Sequence, residues 1–328
     1  METAIMDKAK LTRISYWLIA FVIFMVGWLK LATPFLTILF SILALNIFKF
    51  AKRKWLAVII FSVVVTTIFY GFYFLIQESI RTLPKIVEAS IPVANKYAQQ
   101  YGIDIGITDA EALKIRAARE LAQELEGVAN FAKIATKEFV LIIIGLVVAI
   151  SIFMNSKFDL ATDHYAIKNN VYTILGEEIS ARFRSLYESF RTVMGAQMII
   201  SCINTAFTGI FVHIVDLPYA NLVVVITFLC GLLPIVGNIL SNTLITCIAL
   251  TVSPNMALFA LAFLIILHKG EYFLNSKIIG GKIKNPMWLT LLGLLAGESI
   301  MGVAGLILAP VILHFVKHEA AKVEVRNW

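Results

Sequence analysis

Long apolar runs recur along almost the whole chain and constrain its fold more than any other feature. The first runs from Ile14 to Leu29, and the last ends at Phe315. A helix needs about 20 apolar residues to cross the hydrocarbon core of a bilayer. Hydrophobic residues make up 59% of the chain and charged residues only 15%, whereas soluble domains carry about 25% charged residues. The sequence therefore predicts an all-α polytopic membrane protein.

The apolar runs and the polar stretches between them divide the chain into six segments, with about eight transmembrane helices in all. The predicted segments are 1–76 with the first three transmembrane helices, 77–137 as an extracytoplasmic helical insertion, 138–153 as a fourth transmembrane helix, 154–191 as cytoplasmic or interfacial amphipathic helices, 192–316 as a transport core, and 317–328 as a cytoplasmic tail.

The two longer polar segments carry helical patterns of their own. A capping box at Thr108–Glu111 predicts a helix from Asp109 toward Phe131. In the second segment, apolar residues recur every three to four positions from Val171 to Phe190, which indicates an amphipathic helix. Its other face carries Glu178, Arg182 and further charged side chains, and we interpret this face as solvated.

Short loops rich in lysine and arginine predict how the chain is oriented across the membrane. They are the N-terminal tail, residues 49–54, a polar loop at 269–286 and the tail after Val316. Because such loops stay in the cytoplasm, both termini are predicted to be cytoplasmic. The net charge of +7 is thus explained by topology and gives no reason to expect a nucleic-acid partner.

The stretch from Phe228 to Asn242 interrupts the apolar pattern of the transport core. Gly231, Pro234 and Gly237 follow one another closely there, and proline removes a backbone donor from a helix. Broken backbone at membrane depth is tolerated only where it is buried in protein or lines a wet cavity. Residues 231–242 therefore predict either a broken helix that forms a binding site or a tight turn at the membrane surface.

The last apolar region predicts a re-entrant hairpin at 287–316. Its arms, 288–296 and 300–315, are expected to join at Gly297-Glu298-Ser299, because the first arm is too short to cross fully. Gly302 and Gly305 are expected to allow close helix approach, and Pro310 is expected to break the last span. These predicted hinge residues are Gly297, Gly302, Gly305 and Pro310.

Few polar side chains in the apolar runs could take part in transport. Glu298 is the only acidic residue between Ile278 and Lys317, so it is either a group that couples transport to a proton or cation or a charge at the outer surface. Amide side chains can both donate and accept hydrogen bonds, which suits a small polar solute. The alternative for them is interhelical hydrogen bonding. These candidates are Asn204, Asn238, Asn242 and Gln197.

The sequence lacks the patterns of several other functions. We find no phosphate-binding loop for ATP, no serine–histidine–aspartate arrangement and no cysteine-rich metal motif. Cys202, Cys230 and Cys247 lie inside apolar runs, where cysteine packs as a small hydrophobe. We therefore expect no enzyme activity, no cofactor, no metal site and no disulfide.

Three segments together resemble the autoinducer-2 exporter (AI-2E) family, also called the PerM-like group. They are GAQMIISCINTAFTGI at 195–210, DLPYANLVVVITFLCGLLPIVGNIL at 216–240, and the C-terminal segment 277–317 with its glycines and Pro310. The resemblance covers nearly the whole chain. Two departures are Asn238, where the family often has proline, and Ala196, which separates the usual glycine–glutamine pair.

The resemblance implies a secondary transporter of the bacterial cytoplasmic membrane that exports a small polar molecule, with autoinducer-2 as the family's cargo. Its partners would be membrane lipid, the solute or a coupling cation (H⁺ or Na⁺), and further copies in a homo-oligomer. One alternative is a Na⁺(Li⁺)/H⁺ antiporter on the same fold with Glu298 as its titrating group. Another is a membrane scaffold without transport activity.

Overall fold

The computed structural model describes residues 8–48, 53–100, 125–155, 170–234, 236–278 and 286–323. Within these ranges the chain forms ten helices and no strands, which confirms the all-α prediction. The helices are α1 (Lys8–Trp28), α2 (Ala32–Ile47), α3 (Lys54–Gln100), α4 (Leu125–Met154), α5 (Val171–Ile214), α6 (Ala220–Gly231), α7 (Val236–Val252), α8 (Pro254–Ile278), α9 (Met287–Met301) and α10 (Val303–Ala320).

Five of the described helices are long and apolar enough to cross a membrane, namely α1, α3, α4, α5 and α10. Large apolar side chains on these helices face outward. Trp17 is 78% exposed, and Phe21 and Val147 are also exposed. Apolar patches on this scale are incompatible with a water-facing surface. The described residues therefore form a multi-pass membrane protein.

Two helices are much longer than the spans predicted from the sequence. The third span was expected to end at Ile76, but α3 continues to Gln100 and comprises 47 residues. At 1.5 Å per residue it is about 70 Å long, more than twice the ~30 Å hydrocarbon core. Its C-terminal part therefore projects beyond the apolar layer, so the start of the predicted insertion is not a break in the helix.

The expected boundary between the amphipathic segment 154–191 and the fifth span is also absent. α5 runs without interruption from Val171 to Ile214, because the apolar stripe of its first half continues in phase into the apolar second half. Likewise, α4 begins at Leu125, before the predicted fourth span. Of the helix predicted at 109–131, residues 109–124 lie outside the described part of the chain.

The chain divides into two compact units, and the division falls within α3, α4 and α5. Unit 1 comprises residues 1–63, 137–194 and 284–328, and unit 2 comprises residues 64–136 and 195–283. In unit 1 the side chains of Leu45, Phe190 and Val311 are fully buried, and Phe40 meets Phe190 edge to face at 4.9 Å.

The core of unit 2 is formed mainly by α5 to α8. Val212, Val223, Ile248 and Ala260 are fully buried within one cluster. The rings of Phe211 and Phe263 stack at 4.1 Å between centroids. α8 continues to Ile278, so the first ten residues of the predicted loop at 269–286 are helical.

The C-terminal hairpin turns later than the sequence predicted. Gly297, Glu298 and Ser299 lie within α9, and the turn is at Gly302, so the predicted junction is wrong. The φ of +60° and ψ of −143° at Gly302 belong to a region open essentially only to glycine. Pro310 lies inside α10 and does not break it; proline is tolerated in membrane helices where neighbouring groups satisfy the freed backbone carbonyl.

The two arms of this hairpin approach closely through a pair of glycines. A Cβ on Gly297 would lie 2.6 Å from the Gly305 carbonyl oxygen, and a Cβ on Gly305 would overlap the Gly297 carbonyl. The close helix approach predicted for Gly302 and Gly305 is therefore present at Gly305, but its partner is Gly297, and a Cβ on Gly302 would meet no atom within 4 Å. α9 has 15 residues and is about 22 Å long, shorter than the hydrocarbon core; its re-entrant position in the bilayer stays a prediction.

Replacing Gly302 with alanine should destabilise the hairpin by about 1–3 kcal/mol, because the turn requires a backbone conformation that alanine adopts only under strain. The check is the thermal unfolding of purified protein in detergent. Gly71→Ala is the matched control, since no atom lies within 4 Å of the added Cβ and its φ is not positive. Equal melting temperatures for the two variants would contradict the assignment of the turn.

Candidate functional site

Unit 2 contains a buried carboxylate on α8. Glu271 is only 9% exposed and lies three residues beyond His268, where the eighth span was predicted to end. Burying an ionised carboxylate is costly unless hydrogen bonds or opposite charges compensate it. The partners of Glu271 therefore define the chemistry of this part of the protein.

Two asparagine side chains donate hydrogen bonds to Glu271. Asn204 Nδ2, from the C-terminal third of α5, lies 3.1 Å from Glu271 Oε2. Asn238 Nδ2, from the first turn of α7, lies 3.1 Å from Oε1 and 2.9 Å from Oε2. His268 Nδ1 is 3.4 Å from Oε2. Three helices thus converge on one carboxylate; we call Asn204, Asn238 and Glu271 the α5–α7–α8 site.

The site contains a buried polar atom that lacks a partner among the described residues. Asn204 is 7% exposed, yet its Oδ1 atom accepts no hydrogen bond from the described residues. The hydroxyls of Thr205, the next residue, and of Thr208, one turn further along α5, also have no partner there. Most buried polar atoms in proteins are hydrogen-bonded. An unpartnered oxygen beside a carboxylate therefore indicates unused ligand capacity.

The broken stretch that the sequence predicted lies next to this site. α6 ends at Gly231 and α7 begins at Val236. Between them the Leu233 amide bonds to the Cys230 carbonyl at 2.8 Å, and the Val236 amide bonds to the Pro234 carbonyl at 2.7 Å. The predicted break is thus confirmed, and Pro234 lies between the helices.

Two side chains of α5 satisfy backbone groups near the break. Gln197 Nε2 donates to the Gly231 carbonyl at 2.6 Å, and the Ser201 hydroxyl donates to the Phe228 carbonyl at 2.7 Å. Carbonyls at a helix end have no partner within the helix, and hydrocarbon offers none. Gln197 therefore stabilises the break in the described structure, and its predicted role as a group that lines the solute path stays a prediction.

Glycines let α6 and α7 approach each other and α5 at the break. A Cβ on Gly237 would overlap the Cys230 carbonyl, and a Cβ on Gly231 would overlap the Ser201 hydroxyl. Both positions therefore require the absence of a side chain. The contact at Gly237 also fixes the first turn of α7, from which Asn238 reaches Glu271.

Two other predicted site residues, Asn242 and Glu298, form no hydrogen bond with Glu271 among the described residues. Asn242 lies one turn after Asn238 on α7, and its backbone carbonyl accepts the Thr246 hydroxyl at 2.8 Å; its side chain has no hydrogen bond among the described residues. Glu298 belongs to α9 in unit 1 and is exposed. Of these two carboxylates, Glu271 is the buried one, and a transport role for Glu298 stays a prediction.

Sequence reasoning left Glu271 out of the transport candidates, because it follows His268 and precedes a stretch rich in lysine. That composition is typical of a cytoplasmic loop, whereas the structure continues α8 through it. One signal in the sequence could have indicated it. Glu271 lies one helical turn after an apolar run and two turns after Leu264, so it shares a helix face with that buried residue.

Unit 1 contains a second buried carboxylate, with different partners. Glu319, at the end of α10, is 4% exposed. Its carboxylate lies 3.2 Å from Arg182 and 2.6 Å from Lys322, and it accepts hydrogen bonds from Tyr16 at 2.9 Å and from Ser185. Arg182, interpreted above as solvated, has a side chain only 13% exposed, so that interpretation is wrong for this residue.

No group of three or more His, Cys, Asp or Glu side chains that could hold a metal ion lies together in the described ranges. The three cysteines are free thiols. The chemistry available in the α5–α7–α8 site is therefore that of one carboxylate and two amides: hydrogen bonding and the attraction of positive charge.

Comparison with known proteins identifies the family of the chain and one partial relative. The sequence profile of a family described as "AI-2E family transporter" matches residues 14–322. A Bacillus subtilis (strain 168) protein named "Putative transport protein YdbI" is 28% identical over 151 residues, which cover 45% of this chain and 43% of that protein. That match spans less than half of the relative's length. The family match confirms the resemblance found in the sequence.

Glu319→Ala should destabilise the protein by about 1–3 kcal/mol, because it leaves the hydroxyl donors of the half-buried Tyr16 and the buried Ser185 without their acceptor. It also removes one of the two carboxylates that pair with Arg182, the other being Glu178. The matched control is Glu188→Ala, which removes one partner of the exposed Glu188–Arg191 pair and should change stability by less than about 1 kcal/mol. Thermal unfolding in detergent measures both variants. Similar losses in the two would show that the Glu319 network does not stabilise the fold.

Proposed function

Because the chain belongs to the AI-2E transporter family, we propose that it is a secondary transporter that exports a small polar solute across the bacterial cytoplasmic membrane. The α5–α7–α8 site is the polar centre of its transport path. The observation that supports this proposal is the buried Glu271, held by Asn204 and Asn238 beside the break between α6 and α7.

The position of this carboxylate favours transport over a purely structural role. Acidic residues within the apolar layer are costly, and they commonly mark pathways for substrates or ions. Transporters commonly form such sites at discontinuous helices, where helix ends present free backbone groups. The start of α7 also carries a partial positive charge, which favours an adjacent negative group. A carboxylate kept only for stability would be expected to have fixed cationic partners, as Glu319 has.

The side chains of the site suit a solute that carries several hydroxyl groups. Glu271 accepts hydrogen bonds, and each asparagine amide can donate and accept. A small polyhydroxylated molecule such as the furanone autoinducer-2 matches that combination, and it is the cargo in the family's name. A bound hydroxyl would replace one amide donor at Glu271, so the carboxylate keeps its hydrogen bonds during exchange.

The test is efflux of labelled autoinducer-2 from proteoliposomes that contain the purified full chain. Asn238→Ala should lower efflux roughly tenfold or more, because a hydrogen bond to a charged group contributes about 1.5–3 kcal/mol and 1.4 kcal/mol is a factor of ten. Glu271→Gln should lower it at least as strongly. Glu177→Gln, an exposed carboxylate on α5, should keep the wild-type rate.

Glu298→Gln, assayed in parallel, shows which of the two carboxylates, Glu271 or Glu298, solute efflux requires. Efflux that survives Glu298→Gln but is lost in Glu271→Gln supports the α5–α7–α8 site. The reverse pattern would move the transport path to α9 and contradict the proposal. Wild-type efflux no faster than that of protein-free liposomes would exclude this furanone as the cargo.

A further inference from the structure

We propose that the α5–α7–α8 site binds one alkali-metal cation, such as Na⁺, between the carboxylate of Glu271 and the amide oxygens of Asn204 and Asn238. The role of this cation in driving solute export rests on the proposed function, whereas its binding can be measured separately.

The charge of the site suits a monovalent ion. Of the three hydrogen-bonded side chains that form the site, only Glu271 is a carboxylate, and both asparagines are neutral. The nearby His268 has a side chain 43% exposed and would counter the charge of Glu271 only when protonated. One positive charge neutralises the buried carboxylate. A divalent ion would leave an excess charge inside the protein, which is strongly unfavourable without a further partner.

The asparagines can change from donors to cation ligands by rotation of their amides. An amide carries an oxygen on one side and an NH₂ group on the other. Asn204 now directs its Nδ2 atom at Glu271, while its buried Oδ1 atom has no partner among the described residues. A half-turn of this amide places the unpartnered oxygen beside the carboxylate. That arrangement is repulsive between the two oxygens alone and becomes favourable once a cation lies between them.

The distances agree with such an arrangement. After the half-turn, the amide oxygen of Asn204 would occupy the present Nδ2 position, which is 3.1 Å from Glu271 Oε2. Two oxygens at this separation can both lie about 2.4 Å from one ion, a typical distance for oxygen ligands of a hard cation. Asn238 Nδ2 lies within 3.1 Å of both carboxylate oxygens, so the same rotation there supplies a further oxygen ligand.

Cation binding at this position would affect the break. Asn238 stands directly after Gly237, whose backbone packs on Cys230 at the end of α6. With the cation bound, Asn238 attaches to Glu271 through the ion; without it, the amide attaches by donating a hydrogen bond. Occupancy therefore changes how the first turn of α7 is held against α8, which gives a physical route from ion binding to movement of the broken helix.

The primary test is thermal unfolding of the purified full chain in detergent, titrated with NaCl, LiCl or KCl at constant ionic strength set by choline chloride. Wild-type protein should show a saturable rise in melting temperature of a few degrees with at least one alkali cation, because a ligand that binds only the folded state stabilises it. Glu271→Gln should lose the rise, and Glu177→Gln should keep it. No rise in the wild type beyond choline, or a rise that persists in Glu271→Gln, would overturn the proposal.

A gain-of-function variant tests the same site without relying on the loss of a melting-temperature shift. Asn204→Asp adds a second carboxylate, so the site should acquire a Ca²⁺-dependent rise in melting temperature that the wild type lacks, since Ca²⁺ prefers carboxylate oxygens. Asn221→Asp, an exposed asparagine on α6, should not acquire it. If Asn204→Asp does not fold, Glu271→Gln decides the question alone.

The two proposals fail in different ways. An alkali-cation response in wild-type protein that moves no solute in proteoliposomes would retain the ion site and contradict the export function. Solute efflux that is equally fast in NaCl, KCl and choline chloride, without any melting shift, would retain export and overturn the ion site.

Discussion

The lack of water in the bilayer interior is the constraint on which this structure depends. A helix can end at membrane depth only if other protein groups satisfy its backbone. At the break between α6 and α7, Gln197 and Ser201 of α5 do this for the carbonyls of Gly231 and Phe228. These two hydrogen bonds tie α5 to the break, and they make an interruption tolerable that would otherwise disfavour the fold.

The same contacts position the polar centre of unit 2. Because α5 is held against the end of α6, Asn204 lies two turns after Gln197 on the same helix, at the level of Glu271. Because Gly237 packs on the Cys230 carbonyl, Asn238 starts α7 within reach of the same carboxylate. Backbone satisfaction and site geometry therefore depend on one set of contacts between neighbouring helices.

The two buried carboxylates show how the partners of a charge determine its use. Glu319 has two cationic partners, Arg182 and Lys322, so its charge is balanced within the protein and its network suits stability. Glu271 is held by neutral amides. Amides lower the cost of burial without cancelling the charge, so Glu271 can still attract a cation or accept a hydroxyl. This difference supports a functional role for Glu271 and a structural role for Glu319.

The sequence by itself determined the membrane-spanning helical class, the break at Pro234 and a close helix approach at Gly305. Hydropathy, proline and glycine act over a few residues, so a local pattern reveals them. Asn204 and Asn238 could be selected as candidates, but their common partner could not. Only the tertiary structure decided that Glu271 is buried, because its hydrogen bonds reach residues 67 and 33 positions away. The turn at Gly302 was likewise decided by how α9 and α10 pack, since several glycines and a charged residue nearby allowed an earlier turn.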